Sequence, residues 1–148
     1  MDALQDELKL LKRGVFYSAS ACTARINELT DYLESYCSEN RLQIARVCFH
    51  RNMESPLMVM LIVTVGFYMY PPHRHLNKFE SYQVVKGKCR FVEYDEKGID
   101  KLSFILGKDQ LLLNESTSYH TLMPLTSVLA FIEHTTGPFE EGKNDFLA

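Results

Sequence analysis

The chain has 148 residues, of which 46% are hydrophobic and 24% charged, and a formal net charge of -3. That length suits one domain, able to bury most of its apolar surface without a disulfide or a structural metal. The basic residues are scattered and form no tract interleaved with aromatics, so the composition offers no footing for a nucleic-acid partner.

In chain order, Leu4, Leu8, Leu11 and Val15 recur at helical spacing, which predicts a helix that can end in a short strand at 15–17. Ile26, Leu29, Leu33 and Tyr36 then share one face, with Asp31, Glu34 and Glu39 elsewhere. This second pattern predicts an amphipathic helix ending near Asn40, with N-caps offered by Ser18–Ser20. Its apolar stripe is expected to pack on the outside of the β-rich remainder of the chain. Residues 1–42 are thus read as an N-terminal helical flank.

From about Gln43 the texture changes to short runs of Val, Ile, Phe and Tyr between turn residues. Strands are predicted at 45–49, 57–64, 67–70, 80–85, 88–94, 101–105, 110–113 and 128–133. Lys86-Gly87-Lys88 and Asp95-Glu96-Lys97-Gly98 read as hairpin turns. Strands at this spacing predict a mainly β architecture, closed or double-sheeted, of which the jelly roll is one form. It would occupy 43–148 and form a single structural domain with the flank.

Asp2, Asp6, Glu7 and Lys9 interrupt any signal-peptide core. The longest apolar run, near 57–65, is too short to cross a bilayer as a helix. Cys22, Cys37, Cys48 and Cys89 form no CxxC pair and read as reduced thiols. These features together predict a cytoplasmic protein with no membrane partner.

Four residues carry the chemistry. His73 and His75 are two apart, and on a strand residues i and i+2 point to one face. Glu80 comes after the short loop beyond them, at the start of the next predicted strand. His120 stands some forty residues on, at the start of another. An HxH pair alone is weak evidence, and a lone histidine such as His50 or His134 is commonly a surface residue. HxH with this Glu after it, a Gly seven residues later and a distant His in a β-rich chain is much stronger. Two His and a carboxylate leave open positions on an octahedral ion, and a third His still leaves two. Such donors suit one divalent transition metal ion (Fe, Mn, Ni, Co or Zn) rather than Ca or Mg.

Gly66, His73-Arg74-His75, Glu80 and Gly87 are spaced as in the first cupin motif, which this stretch resembles. Ser118-Tyr119-His120 sits where the second motif has its histidine. Glu115 and Thr117 replace that motif's Pro and Gly, and Pro124 its final Asn. Over roughly 45–140 the chain is also similar to the WbuC-type cupin metalloproteins. That likeness rests on Arg46-Val47-Cys48-Phe49-His50, Pro72-His73-Arg74-His75, Glu80-Ser81, Tyr94-Asp95-Glu96-Lys97-Gly98 and Gly137-Pro138-Phe139. The resemblance implies a cupin-type double-stranded β-helix barrel and an association with O-antigen or other surface-polysaccharide synthesis. By analogy with such barrels it also implies a homodimer.

Arg46, Cys48 and His50 alternate with apolar neighbours and would share a face at the barrel mouth. Arg46 and His50 either hold an anionic substrate group or make a structural ion pair and a loop cap. Arg74, between two inward histidines, should face the other way. Tyr70 and Tyr82 either reach the pocket or pack in the core. Glu133 is either a pocket carboxylate, with His50 a candidate for acid/base work, or a strand-end surface charge. The functional expectation is a metal-dependent enzyme on a small molecule, such as a sugar or sugar nucleotide, of isomerase or epimerase type. An Fe(II) dioxygenase-like site and a non-catalytic binding or sensing module are the alternatives.

Overall fold

The computed structural model describes residues 8–18, 25–140 and 144–148. Its strands are β1 (Leu8–Lys12), β2 (Val15–Ser18), β3 (Ile44–Cys48), β4 (Leu57–Val65), β5 (His73–Arg74), β6 (Glu80–Lys86) and β7 (Lys88–Tyr94), then β8 (Asp100–Gly107), β9 (Leu111–Asn114), β10 (Tyr119–Pro124), β11 (Val128–Thr136) and β12 (Asp145–Phe146). Among the described residues one helix, α1 (Ile26–Asn40), lies between β2 and β3. The strands form a seven-stranded sheet, β1-β2-β3-β4-β11-β6-β9, and a five-stranded sheet, β12-β5-β10-β7-β8.

The first predicted helix is instead a β-hairpin. β1 and β2 pair antiparallel around Gly14, whose φ of 77° suits glycine. Tertiary pairing overrides the leucine spacing here, because β2 adds in parallel to β3 and gives that strand a partner. Parallel neighbours need a long crossover, and α1 supplies it. Leu4 and the rest of 1–7 lie outside the described residues. Helix α1 begins after Arg25, with no side-chain cap, and Ser18 belongs to β2. The expected caps at Ser18–Ser20 are therefore not its N-terminus, and Ser20 lies outside the described residues.

Two apolar cores explain the burial pattern. Leu29, Leu33 and Cys37 of α1 pack with Phe16, Val47, Leu61 and Val63 on the outer face of the large sheet. Met60, Ile62, Tyr82, Phe91, Leu106 and Phe131 fill the space between the sheets. β4 sits in the middle of the large sheet and faces both cores. Its run Met58–Thr64 is accordingly apolar almost throughout rather than alternating. It pairs with β11 over its whole length, from Leu57↔Thr136 to Val65↔Val128.

Two local expectations change. Residues 67–70 form no strand, because Gly66 and Phe67 both adopt positive φ (66° and 58°) and turn the chain out of β4. The resulting loop carries Tyr68 and Tyr70 to the inter-sheet space. Lys86-Gly87-Lys88 is no hairpin, since β6 and β7 belong to different sheets. Gly87 is the corner between them. Its φ is 83°, and a Cβ there would meet the Val128 carbonyl at 2.3 Å. The Asp95–Gly98 hairpin forms as expected between β7 and β8, with Asp95 Oδ1 accepting from the amides of Lys97 and Ile99. Cys37, Cys48 and Cys89 are buried free thiols, and Cys22 lies outside the described residues. Among the described residues no helix is long and apolar enough to cross a membrane.

Candidate metal centre

The sheets open at one end around a cavity of about 350 Å³. All nine side chains singled out from the sequence line it: His73, His75, Glu80, His120, Arg46, His50, Tyr70, Tyr82 and Glu133. β5 and β10 of the small sheet place His73 directly opposite His120, with ring centroids 5.0 Å apart. Glu80 is the first residue of β6 in the large sheet. His75 lies on the segment that carries the chain from one sheet to the other. Ligand atoms of His73, His75 and Glu80 all lie within 4.8 Å of one another. His75 Nε2 is 3.1 Å from Glu80 Oε1, and His120 Nε2 is 2.9 Å from Glu80 Oε2.

The donor chemistry fits a cation. His73 Nδ1 lies 3.0 Å from the Pro71 carbonyl and His120 Nδ1 lies 3.0 Å from the Ser118 carbonyl. A carbonyl only accepts, so each Nδ1 is the N–H and each Nε2 presents a lone pair inward. A lone pair on His120 facing the Glu80 carboxylate needs a positive charge between them, either a proton or a metal ion. Donors about 2.1 Å from a shared ion stand roughly 3.0 Å apart when cis and about 4.2 Å when trans, which is the spacing scale seen here.

Electrostatics agree with geometry. Burial alone would raise Glu80, but hydrogen bonds from His120 and His75 hold it well below the usual carboxylate range. Burial, with help from His120, lowers His73 to about 4, so this imidazole is neutral and free to ligate at ordinary pH. Burial works to lower His120 as well, yet Glu80 outweighs it and the net shift is upward. In the absence of metal, Glu80 therefore favours the protonated form of His120.

Tyr82 is 3% exposed and donates its hydroxyl to Glu80 Oε2 at 3.0 Å, with His120 Nε2 at 3.3 Å. It fixes the carboxylate rotamer from beneath the cluster. Removing such an outer partner typically costs 10–100-fold in metal affinity. Tyr82→Phe is expected to weaken Zn²⁺ binding about tenfold, measured by competition with a chromogenic chelator; unchanged affinity would show that the hydroxyl plays no part.

Glu133 is central on β11, opposite Tyr82 on one side and Met60 on the other. It lines the cavity rather than ending a strand in solvent. Burial, then the charge of Glu80, raises its carboxyl to about 7, against the opposing pull of Arg46. His50 is 8% exposed, with Nδ1 at the Val59 backbone and its ring edge-on to Tyr17. Burial lowers its pKa. Tyr70 meets the His73 ring edge-on at 5.1 Å. Arg74 faces away from the cavity, bonded to Asp145 and Glu96 and lying 4.4 Å over the Tyr119 ring. Sequence reasoning missed Lys12, which also lines the cavity. The helical leucine spacing hid the strand that carries it, and the irregular register between Leu10 and Lys12 leaves no simple alternation to read.

Solved structures resemble this architecture. CapF from Staphylococcus aureus, a capsular polysaccharide assembling protein, aligns with a TM-score of 0.62 and 15% identity, over 71% of this chain and 32% of its own. KdgF from Halomonas sp. aligns with a TM-score of 0.53 and 17% identity, over 67% of this chain and 82% of its own. A mutant of the Bacillus subtilis oxalate decarboxylase OxdC aligns with a TM-score of 0.53 and 19% identity, over 62% of this chain and 24% of its own. This chain thus spans about a third of CapF and a quarter of OxdC. Identities this low show the fold, which is the cupin jelly roll. No curated protein matches the sequence. The model of one family, described as a domain of unknown function (DUF6016), matches residues 27–106, more than half of the chain, and the chain belongs to that family.

Proposed function

We propose that the protein is a metal-dependent enzyme acting on a small molecule, with one divalent transition metal ion (Fe, Mn, Ni, Co or Zn) on His73, His75, Glu80 and His120. The observation that carries this reading is a carboxyl, Glu133, with its pKa near neutrality beside the ligand cluster in the same cavity. A bound ion would act as a Lewis acid on a substrate oxygen. Glu133 is suited to move a proton to or from a neighbouring carbon or oxygen, because its pKa lies close to ordinary pH. That pairing suits an isomerase or epimerase. His50 is neutral at ordinary pH and serves as a second base or a hydrogen-bond partner. Tyr70, at the cavity's ligand end, packs against the substrate body.

A role in surface-polysaccharide synthesis, and membership of the WbuC type, draw support from the sequence likeness over roughly 45–140 and from the capsular polysaccharide assembly in which CapF takes part. The donor set of three His and one Glu favours an oxidative second reading, with Fe(II) in the same place. A homodimer and a cytoplasmic location complete the proposal.

The test is exchangeable water on the metal. Protein loaded with Mn²⁺ is expected to enhance the relaxation of bulk water protons, because a catalytic centre keeps an open position. A stoichiometric complex with no enhancement would indicate a closed, structural shell and overturn the enzyme reading.

A further inference from the structure

Arg46 projects from β3 into the cavity. Among the described residues its guanidinium makes no ion pair or side-chain hydrogen bond. A five-donor group in that state, in a half-enclosed cavity, is normally matched by a planar anion. Glu133 lies in its field but not within ion-pair distance, and burial holds that carboxyl near neutrality, so it leaves much of the Arg46 charge uncompensated. Lys12, another cavity residue, adds to the same field. The thiol of Cys48 is raised to about 11 by burial, against the pull of both Arg46 and Lys12. Lys12 stands opposite Val15 and Val15 opposite Arg46, so the two cations lie in one row of the sheet, Arg46 half-buried and Lys12 exposed.

That wall is remote from the ligand cluster. The strand order β3-β4-β11-β6 puts Arg46 and Glu80 three strands apart, about 14 Å across the sheet at ordinary strand spacing. Between them the cavity floor is Met60, Ile62 and Phe131, which offer no hydrogen bonds, with Glu133 as the polar group toward the metal end. The volume of about 350 Å³ is at the lower end of ordinary small-molecule sites. A nucleotide sugar would not be enclosed there, whereas a single ring with substituents would.

We propose that Arg46, assisted by Lys12, is the anion-binding end of a two-ended site, and that the ligand is a small carboxylate or phosphate ester. Its carbon body lies over Met60, Ile62 and Phe131, and its oxygen functions face the metal cluster. This deepens the metal-dependent enzyme reading, and only the ligand's far end rests on the metal.

The test uses matched probes on the full chain: glucuronate against glucose, glucose 6-phosphate against glucose, and benzoate against benzyl alcohol, each by calorimetric titration. In the wild type, at least one anion is expected to bind ten times or more tightly than its neutral partner. In Arg46→Gln that ratio falls to about one, and Arg46→Lys retains part of it, with unchanged circular dichroism and melting temperature in both. The carboxylate and phosphate arms tell the two sources of charge apart. Equal binding of anion and neutral partner, a preference that survives Arg46→Gln, or no binding by any probe would each overturn the proposal. The titrations are repeated on His75→Ala. A preference for anions kept in this metal-deficient variant separates failure of the metal reading from failure of the anion site.

Discussion

His75→Ala is expected to abolish stoichiometric metal binding, with the wild type retaining close to one ion per chain after purification without added metal. The side chain is 12% exposed and its Nε2 already stands at the Glu80 carboxylate, so its loss removes one of the donors that converge there. Adding Zn²⁺ at a hundred times its dissociation constant should stabilise the wild type by about 2.7 kcal/mol, and the variant by almost nothing. Elemental analysis and thermal denaturation read both results. Uptake should also release a proton, because Glu80 favours the protonated form of His120 without metal and a ligating nitrogen must be unprotonated. Titrations in buffers of different ionisation enthalpy detect that release. A wild type that holds no metal, or a His75→Ala variant that keeps it in full, contradicts the metal centre.

Glu133→Gln is expected to lower turnover by about 10²–10⁴-fold with metal content unchanged, the usual contribution of a positioned acid or base. The same substitution has a signature in stability that needs no substrate. The Glu133 carboxyl rises from 4.5 to about 7 on folding, because burial disfavours its charged form. Its favourable contribution is fully present below about 4.5 and is lost as pH rises through about 7. The amide never ionises. Metal-free Glu133→Gln should therefore match the wild type near pH 4 and exceed it by about 1–3 kcal/mol near pH 9. Equal stability of the two proteins across that range would mean that Glu133 ionises as freely as it does in water. Loss of metal in the variant would reassign the residue from proton transfer to ligand support.

The pairing of both observables with one residue reflects how the cavity is built. Three rows of the large sheet deliver unlike chemistry to one space. Thr135 stands opposite Glu80, Glu133 opposite Tyr82, and Phe131 opposite Val84. A shift of β11 by one residue would turn Glu133 outward and bring Ile132 into the cavity, since strand side chains alternate faces. The nine-pair register with β4 is what prevents it.

Much of this was legible in the sequence. Short spacings and strict alternation are local properties, so they survive without knowledge of the fold. His73, His75 and Glu80 converge because two-residue spacing and a short loop leave little freedom. The face of α1 that carries Leu29 and Leu33 is buried as its periodicity required. Glycine at 98 and aspartate at 95 specify their hairpin through their own backbone geometry.

The remaining features depended on partners distant in the chain. The strand at Leu8–Lys12 exists because β2 completes the edge of β3, an interaction that no window around Leu8 contains. The turn at Gly87 joins two sheets rather than two paired strands, because the glycine must pass under the Val128 carbonyl. The same held at the cavity. His120 stands in a second motif that departs from the usual pattern, and only its cross-strand pairing with His73 and its contact with Glu80 bring it to the cluster. Sequence by itself determined which residues could bind a metal; the packing of two sheets decided that these residues, Arg46 and Glu133 share one cavity, because burial and cross-strand register are long-range quantities.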